Sequence, residues 1–412
     1  MSNNNILLFE SKSSSFKFIA IPIWIDYLFL NNGEVKKKQL TLIGLKNTNL
    51  NVHVIHPLSQ FIMHYWGSRK YNTQRKYSNN IVKFLNYLLE NQGQFQIESL
   101  QDLKIVHGDK YLNSLTVEGV RRDTVRNAER TLVYFYKWLV KEECSIHFDT
   151  NKFEKKQGQY GYYYESPFRP IYPEKKPNKV EHAFPPSYIP LFLEVAIAVA
   201  KPIALGIYLQ FFGGLRISEV INLRRTQVTR SMNKGDFVFK VDNQHFRTDI
   251  KDHASVKKVR TQRVFQIEDW GNILLNDHLK IFKPIDQTNA LFVNQDGKAM
   301  SQRSYRQYFE KAKHKFIELL ISHGDSEQKL LGQHLKYMKW STHIGRGTFT
   351  NLLAEYAENP YEISQPRGDS SINSSLTYMN STERLHKKIE EKFSNLHEHY
   401  IPKLIDREGV HE

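Results

Sequence analysis

Four side chains far apart along the chain place the tightest constraint on its fold. They are Arg216 in Gly-Gly-Leu-Arg-Ile-Ser-Glu (213–219), His343 and Arg346 in His-Ile-Gly-Arg, and Tyr378 near the C-terminus. A fold that uses them together must carry the middle of the chain to its end. Their types suit one chemistry, attack on a phosphodiester by tyrosine. Without a metal, the anionic oxygens must be neutralised by fixed cations, and an arginine offers a permanently charged, planar fork to two of them. A histidine three residues before an arginine lies on the same side of one helical turn, so His343 and Arg346 are placed to address one phosphate. Imidazole moves protons near neutral pH. The phenol of Tyr378 would be the nucleophile, and its phosphotyrosine would conserve bond energy for rejoining without ATP.

Singly, each signal is weak. Gly-Leu-Arg-Ile-Ser-Glu also reads as a plain helix entry with Ser218 near its cap. One of 22 tyrosines is more often a half-buried aromatic than a nucleophile. Order and distance join them. Phe211-Phe-Gly-Gly-Leu-Arg-Ile-Ser-Glu-Val-Ile-Asn-Leu223, with Glu219 three places after the arginine, resembles the first arginine box of the tyrosine recombinase (phage integrase) family. His343-x-x-Arg346 followed by Gly-Thr-Phe-Thr-Asn-Leu-Leu resembles its second box. Tyr378 follows Arg346 by 32 residues, a separation typical of the family.

Arg367-Gly-Asp-Ser-Ser-Ile-Asn-Ser-Ser-Leu-Thr-Tyr378 is similar to the family's segment leading to the nucleophile, with one departure. Nine residues before the tyrosine the family has histidine or tryptophan, and this chain has Asp369. An ionised carboxylate would repel the phosphate that those side chains hydrogen-bond. Asp369 is therefore protonated, or holds Arg216 or Arg346 in place, or marks a weakened site; the holding role is favoured.

The family also carries a lysine, on a β-hairpin between the two boxes, that protonates the leaving 5′ oxygen. Phe237-Val-Phe-Lys-Val241 and Arg263-Val-Phe-Gln-Ile267 alternate as strands, and 251–260 is a cation-rich connection. Counting back from Arg263, taken as the arginine opening the family's third strand, gives Lys258. Lys257 stays open, and strand pleating would let only one of the two reach a phosphate.

With 58 Lys+Arg against 43 Asp+Glu, a net charge of +15 and a pI near 9.5, a polyanionic partner is favoured. The length of 412 residues predicts two or three domains. The lone Cys144 excludes disulfides within the chain and disfavours cysteine-rich zinc sites. The apolar run from Tyr188 to Leu215 is broken by Glu194, Lys201 and Pro202, which argues against a membrane span. The N-terminus lacks the small cleavage-site residues of a secretion signal. A cytoplasmic, DNA-associated protein is expected.

The fold class expected is mainly α with a small β-sheet. Residues 1–55 alternate strand-like runs with Asn/Lys turns such as Asn31-Asn-Gly33, forming a β-rich segment that either binds accessory DNA sites or, the slightly favoured role, braces the next domain. Residues 56–145 turn helical. Thr73 is a candidate cap for a helix with stripe Tyr77, Ile81, Phe84, Leu85 and Leu88, and Asp123 for one with Val125, Ala128, Leu132, Phe135 and Leu139. Arg121, Arg122, Arg126 and Arg130, at and along the opposite face of the second helix, are placed to follow a DNA backbone or are plain solvated surface. Residues 146–182, with several prolines and the tyrosine run 162–164, read as a linker. A catalytic domain over 183–400 and a tail over 401–412 complete the chain, with an amphipathic helix expected from Glu383 to about Tyr400 that docks either on its own core or on a neighbouring protomer.

The resemblance implies that the helical core-binding domain and the integrase-like catalytic domain form a clamp on DNA. Four protomers would synapse two double-stranded sites, with accessory DNA-bending or directionality proteins as possible partners. Tyr378 would form a 3′-phosphotyrosine, and strand exchange would pass through a Holliday junction, for integration, excision or transposition of a mobile element. No metal, nucleotide or other cofactor is expected, and no membrane. Two other readings stay open: supercoil relaxation of the type IB topoisomerase kind, and a DNA-binding protein whose catalytic site has decayed.

Overall fold

The computed structural model describes residues 15–29, 31, 33, 35–144, 147–158, 161–175, 183–230, 237–244, 246–247, 249–250, 254–265 and 269–368. Asp369, Tyr378 and the helix expected over 383–400 lie outside the described residues. The chain divides into two compact units, Met1–Pro177 and Asn178–Glu412. Among the described residues it is mainly helical, with three small antiparallel sheets.

In the first unit, β1 (Phe16–Phe29), β2 (Val35–Asn47) and β3 (Val52–Ile55) form one antiparallel sheet in that order, with a register slip between Asp26 and Leu28. The helices α1 (Ser59–Trp66), α2 (Tyr71–Glu90), the single turn α3 (Gln92–Phe95), α4 (Ile105–Val117) and α5 (Arg122–Lys141) follow. Sheet and helices share one core: Phe18 and Ile43 are buried in the same cluster as Phe61, Phe84, Leu132 and Phe135. Side-chain amides pin the sheet down. Asn86 on α2 accepts from the Phe18 N–H at 2.8 Å and donates to its carbonyl at 3.0 Å, and buried Gln74 accepts from the Thr41 N–H at 3.1 Å. A buried strand edge needs such partners, because an unmet backbone group costs about as much as a lost hydrogen bond.

The apolar stripes expected on α2 and α5 do face inward, but the caps differ. Lys70 and Arg121, both in extended backbone conformation, precede the first helical residues. Thr73 and Asp123 thus lie inside the first turns, where Asp123 suits the positive end of the helix dipole. The stretch expected as a linker also differs. A hairpin of β4 (Lys155–Gly158) and β5 (Gly161–Tyr164) forms there, and Phe148, Phe153 and Phe168 bury in the first unit's core. Proline and glycine stop helices; they do not stop aromatic rings from packing.

The second unit is built around α7 (Lys201–Gly213), whose residues Ile203 to Gly213 are all buried. This accounts for the apolar run, which splits at Ala200 into α6 (Ile189–Val199) and α7. No described helix is long and apolar enough to cross a membrane. The short α8 (Ile217–Val220) follows, then a sheet of β6 (Val228–Arg230), β7 (Phe237–Val241) and β8 (Arg260–Val264). The helices α9 (Trp270–Ile281), α10 (Gln302–His323), α11 (Ser326–Tyr337), α12 (His343–Tyr356) and α13 (Pro360–Arg367) complete the described chain. Packed against α7, α12 is held by Gln210, whose amide donates to the Thr342 carbonyl at 3.1 Å and accepts from the Tyr305 hydroxyl at 3.0 Å.

Candidate functional site

Arg216 directly precedes α8 and Arg346 occupies the first turn of α12, yet the fold brings them together. The apolar α7 ends at Gly214, which has φ +61°. A Cβ there would stand 2.4 Å from the Phe349 ring, so the turn requires glycine for both conformation and space. The chain then reverses into Arg216, and the buried Arg346 guanidinium donates to the Gly214 carbonyl. Its other terminal nitrogen donates at 3.0 Å to the carbonyl of Arg367, the last residue of α13. Arg346 thus bridges the carboxyl ends of two helices, where exposed carbonyls and the helix dipoles favour a cation.

Arg216 is held from the other side. The fully buried Glu219 accepts from the Arg216 backbone N–H at 2.8 Å and from its Nη1 at 3.1 Å. The sequence singled out Glu219 but not its second partner. Arg260, at the start of β8, donates from Nη1 and Nη2 to the two Glu219 oxygens at 2.9 and 3.0 Å. Burial pushes the Glu219 carboxyl up, but the bonds and charge of Arg260 and Arg216 outweigh it and hold the group below its ordinary value near 4.5. Two guanidinium groups, of Arg216 and Arg260, therefore share one carboxylate, and a third, of Arg346, is bound to the backbone at Gly214, two residues before Arg216. Such a surplus of fixed positive charge suits an anionic ligand such as a phosphodiester.

His343 is the first residue of α12 and is exposed, one turn before Arg346, as its spacing implied. The strand used to count to the lysine starts earlier than expected. Arg260, not Arg263, opens β8, so the count that favoured Lys258 loses its anchor. Lys257 and Lys258 both lie exposed in a bend before the strand, and pleat alternation does not decide between them. Asp369 directly follows Gly368 but, like Tyr378, lies outside the described residues.

On the first unit, the four arginines fall where the helical pattern put them. Arg121 is the residue before α5, and Arg122, Arg126 and Arg130 follow along it, with Arg121, Arg126 and Arg130 exposed. Tyr172 lies beneath two of them, its ring centre 5.3 Å from the Arg122 guanidinium and 5.4 Å from that of Arg126. The Tyr172 hydroxyl donates to Glu129; burial and that carboxylate push it up to about 12, so it stays protonated. Tyr172 comes from the stretch read as linker, and nothing in its spacing announced the contact.

Residues 58–143 match the family model of the phage integrase N-terminal SAM-like domain. Among curated proteins, none matches the chain. Solved structures do. The Tn1549 transposon integrase, in complex with transposon right end DNA, is 18% identical with a TM-score of 0.54, covering 81% of this chain and 98% of that one. The XerH site-specific recombinase in a post-cleavage complex with palindromic difH substrate is 17% identical with a TM-score of 0.51, covering 78% and 80%. The fold is that of the tyrosine recombinases.

Proposed function

We propose that this chain, with the tyrosine recombinase fold and a phage integrase SAM-like domain, is a site-specific DNA recombinase of a mobile element. Its substrate is double-stranded DNA, a reading supported by the Tn1549 integrase in complex with transposon right end DNA and by XerH bound to difH substrate. In the proposed reaction the Tyr378 oxygen attacks a backbone phosphorus, forming a 3′-phosphotyrosine as the bond to the 5′ oxygen breaks. Arg216 and Arg346 neutralise the non-bridging oxygens as charge builds on them. His343 assists proton transfer, and Lys258, or its neighbour Lys257, gives a proton to the leaving 5′ oxygen. The freed 5′ hydroxyl of a partner strand then attacks the phosphotyrosine, passing through a Holliday junction. Asp369 keeps its proposed role as a partner holding one of the two arginines. Four protomers act on two synapsed sites, with accessory DNA-bending or directionality proteins, in the cytoplasm.

The observation that carries this reading is the bond from the Arg346 guanidinium to the Gly214 carbonyl, which joins two boxes 132 residues apart in the chain. The test is covalent trapping on a nicked suicide duplex taken from the ends of the encoding element. Wild-type protein should form a DNA adduct and Tyr378→Phe should form none while binding the same duplex. Binding by wild type without an adduct would overturn the reading in favour of a DNA-binding protein with a decayed site.

A further inference from the structure

We propose that Arg260 is a positioning residue for the strand-cutting reaction. It saturates Glu219 so that Arg216 keeps its charge for the phosphate, and it ties the Arg216 box to the end of α13, eleven residues before Tyr378. The inference rests on the function proposed above and adds a residue that neither the boxes nor their spacing include.

Its basis is the geometry around Glu219. A fully buried carboxylate beside one guanidinium would form a pair of net charge zero, and Arg216 would then meet an incoming phosphate with its charge largely spent. Arg260 changes that balance. It engages both carboxylate oxygens in a fork at 2.9 and 3.0 Å, while Arg216 contributes one side-chain bond at 3.1 Å. The side-chain exposures, 8% for Arg260 and 21% for Arg216, assign the two arginines different roles. The buried one completes the carboxylate, and the more exposed one faces outward from the same anchor with the trio still net positive.

The same side chain reaches the end of α13. Arg260 Nε donates to the Gln262 amide oxygen at 2.8 Å, and the Gln262 amide donates to the Pro366 carbonyl at 2.6 Å. Gly368 ends α13 at φ +64°, and a Cβ there would fall 2.0 Å from Arg260 Nε. Backbone and guanidinium therefore pack without space between them. One strand end, β8, fixes both Arg216 and the point from which the chain continues toward the nucleophile.

The test compares wild type, Arg260→Gln, Arg260→Lys, Glu219→Gln and the double variant Glu219→Gln/Arg260→Gln. Each is assayed for single-turnover adduct formation on the nicked suicide duplex across pH, with duplex affinity and thermal melting measured alongside. A displaced catalytic cation should cost roughly a hundredfold in rate, so Arg260→Gln should slow adduct formation by about that factor at unchanged affinity, and Arg260→Lys should fall between the two. The acidic limb of the pH profile should move upward in Arg260→Gln, since Glu219 then binds a proton at higher pH and releases Arg216. A purely structural role would not move that limb. In the Glu219→Gln background, losing Arg260 should add little. Adduct formation by wild type, with Arg260→Gln within twofold of it and an unmoved acidic limb, would overturn this inference alone. Additive losses in the double variant would overturn it equally. Wild type that binds without forming an adduct would overturn it together with the proposed function.

Discussion

At the scale of single residues, the site depends on how tightly Arg346 and the Gly214 turn are packed. Gly214→Ala would place a methyl group into the Phe349 ring at a positive φ. Unfolding by urea should show a loss of about 2–4 kcal/mol, whereas a loss below about 1 kcal/mol would mean that the turn relaxes and does not hold the site rigidly. Arg216, His343 and Arg346 were legible because their spacing matches a chemistry that needs those types in that order. Arg260 was not. An arginine in a cation-rich stretch carries no mark that distinguishes it from a solvated neighbour until Glu219, 41 residues earlier, is brought to its fork. For Lys257 and Lys258, the strand start used for the count lies three residues earlier than the alternation suggested, and both stay candidates.

At the scale of elements, amphipathic helices read well. The stripes of α2 and α5 were visible because a period near 3.6 in apolar residues survives any tertiary context that buries one face. Strand ends and caps read less well, since extended residues such as Lys70 and Arg121 start helices without a side-chain signature. The polar face of α5 makes a test of its own. If Arg122 and Arg126 meet DNA phosphates, Arg122→Ala and Arg126→Ala should weaken binding to site and non-site duplexes alike. Each should also lower the slope of log affinity against log salt by about one. An unchanged salt slope in both variants would identify the face as solvated surface and nothing more. Tyr172 sharpens the expectation, because a ring beneath two guanidinium groups limits their motion and lowers the entropy lost on contact.

At the scale of the whole molecule, each unit keeps buried histidines neutral. Burial holds His56 and His107 in the first unit at about 4, with neighbouring lysines adding to the effect on His107, and it holds His278 in the second unit at about 4. His56 and His107 also accept backbone N–H bonds through Nδ1, which a proton would abolish. A lowered histidine pKa stabilises the fold fully above the unfolded value near 6.5, and this stability is lost as pH falls toward the folded value. His278 alone, buried against the Leu291 carbonyl, should account for on the order of 3 kcal/mol over that interval. Thermal melting should therefore fall steeply between about pH 6.5 and 4 and less steeply in His278→Gln; a melting temperature flat across that window would contradict these burials. Glu219, also lowered, adds its own loss below about 4.5.

The amino-acid sequence by itself determined which residues are apolar at helical period, where glycines permit turns, how much positive charge the chain carries and which side chains could perform phosphoryl chemistry, because all of these are local or additive properties. It also made the fold class and the order of the boxes legible. Only the tertiary structure decided that Phe148, Phe153 and Phe168 of the expected linker belong to the first unit's core, and that the N-terminal sheet is fastened to α2 by Asn86 and Gln74. It alone decided that Arg346 spans two helix ends and that Glu219 is shared between Arg216 and Arg260. The physical reason is common to all of them. Each depends on two groups distant in sequence meeting at hydrogen-bond or van der Waals range, and such contacts exist only once burial has fixed both partners in place.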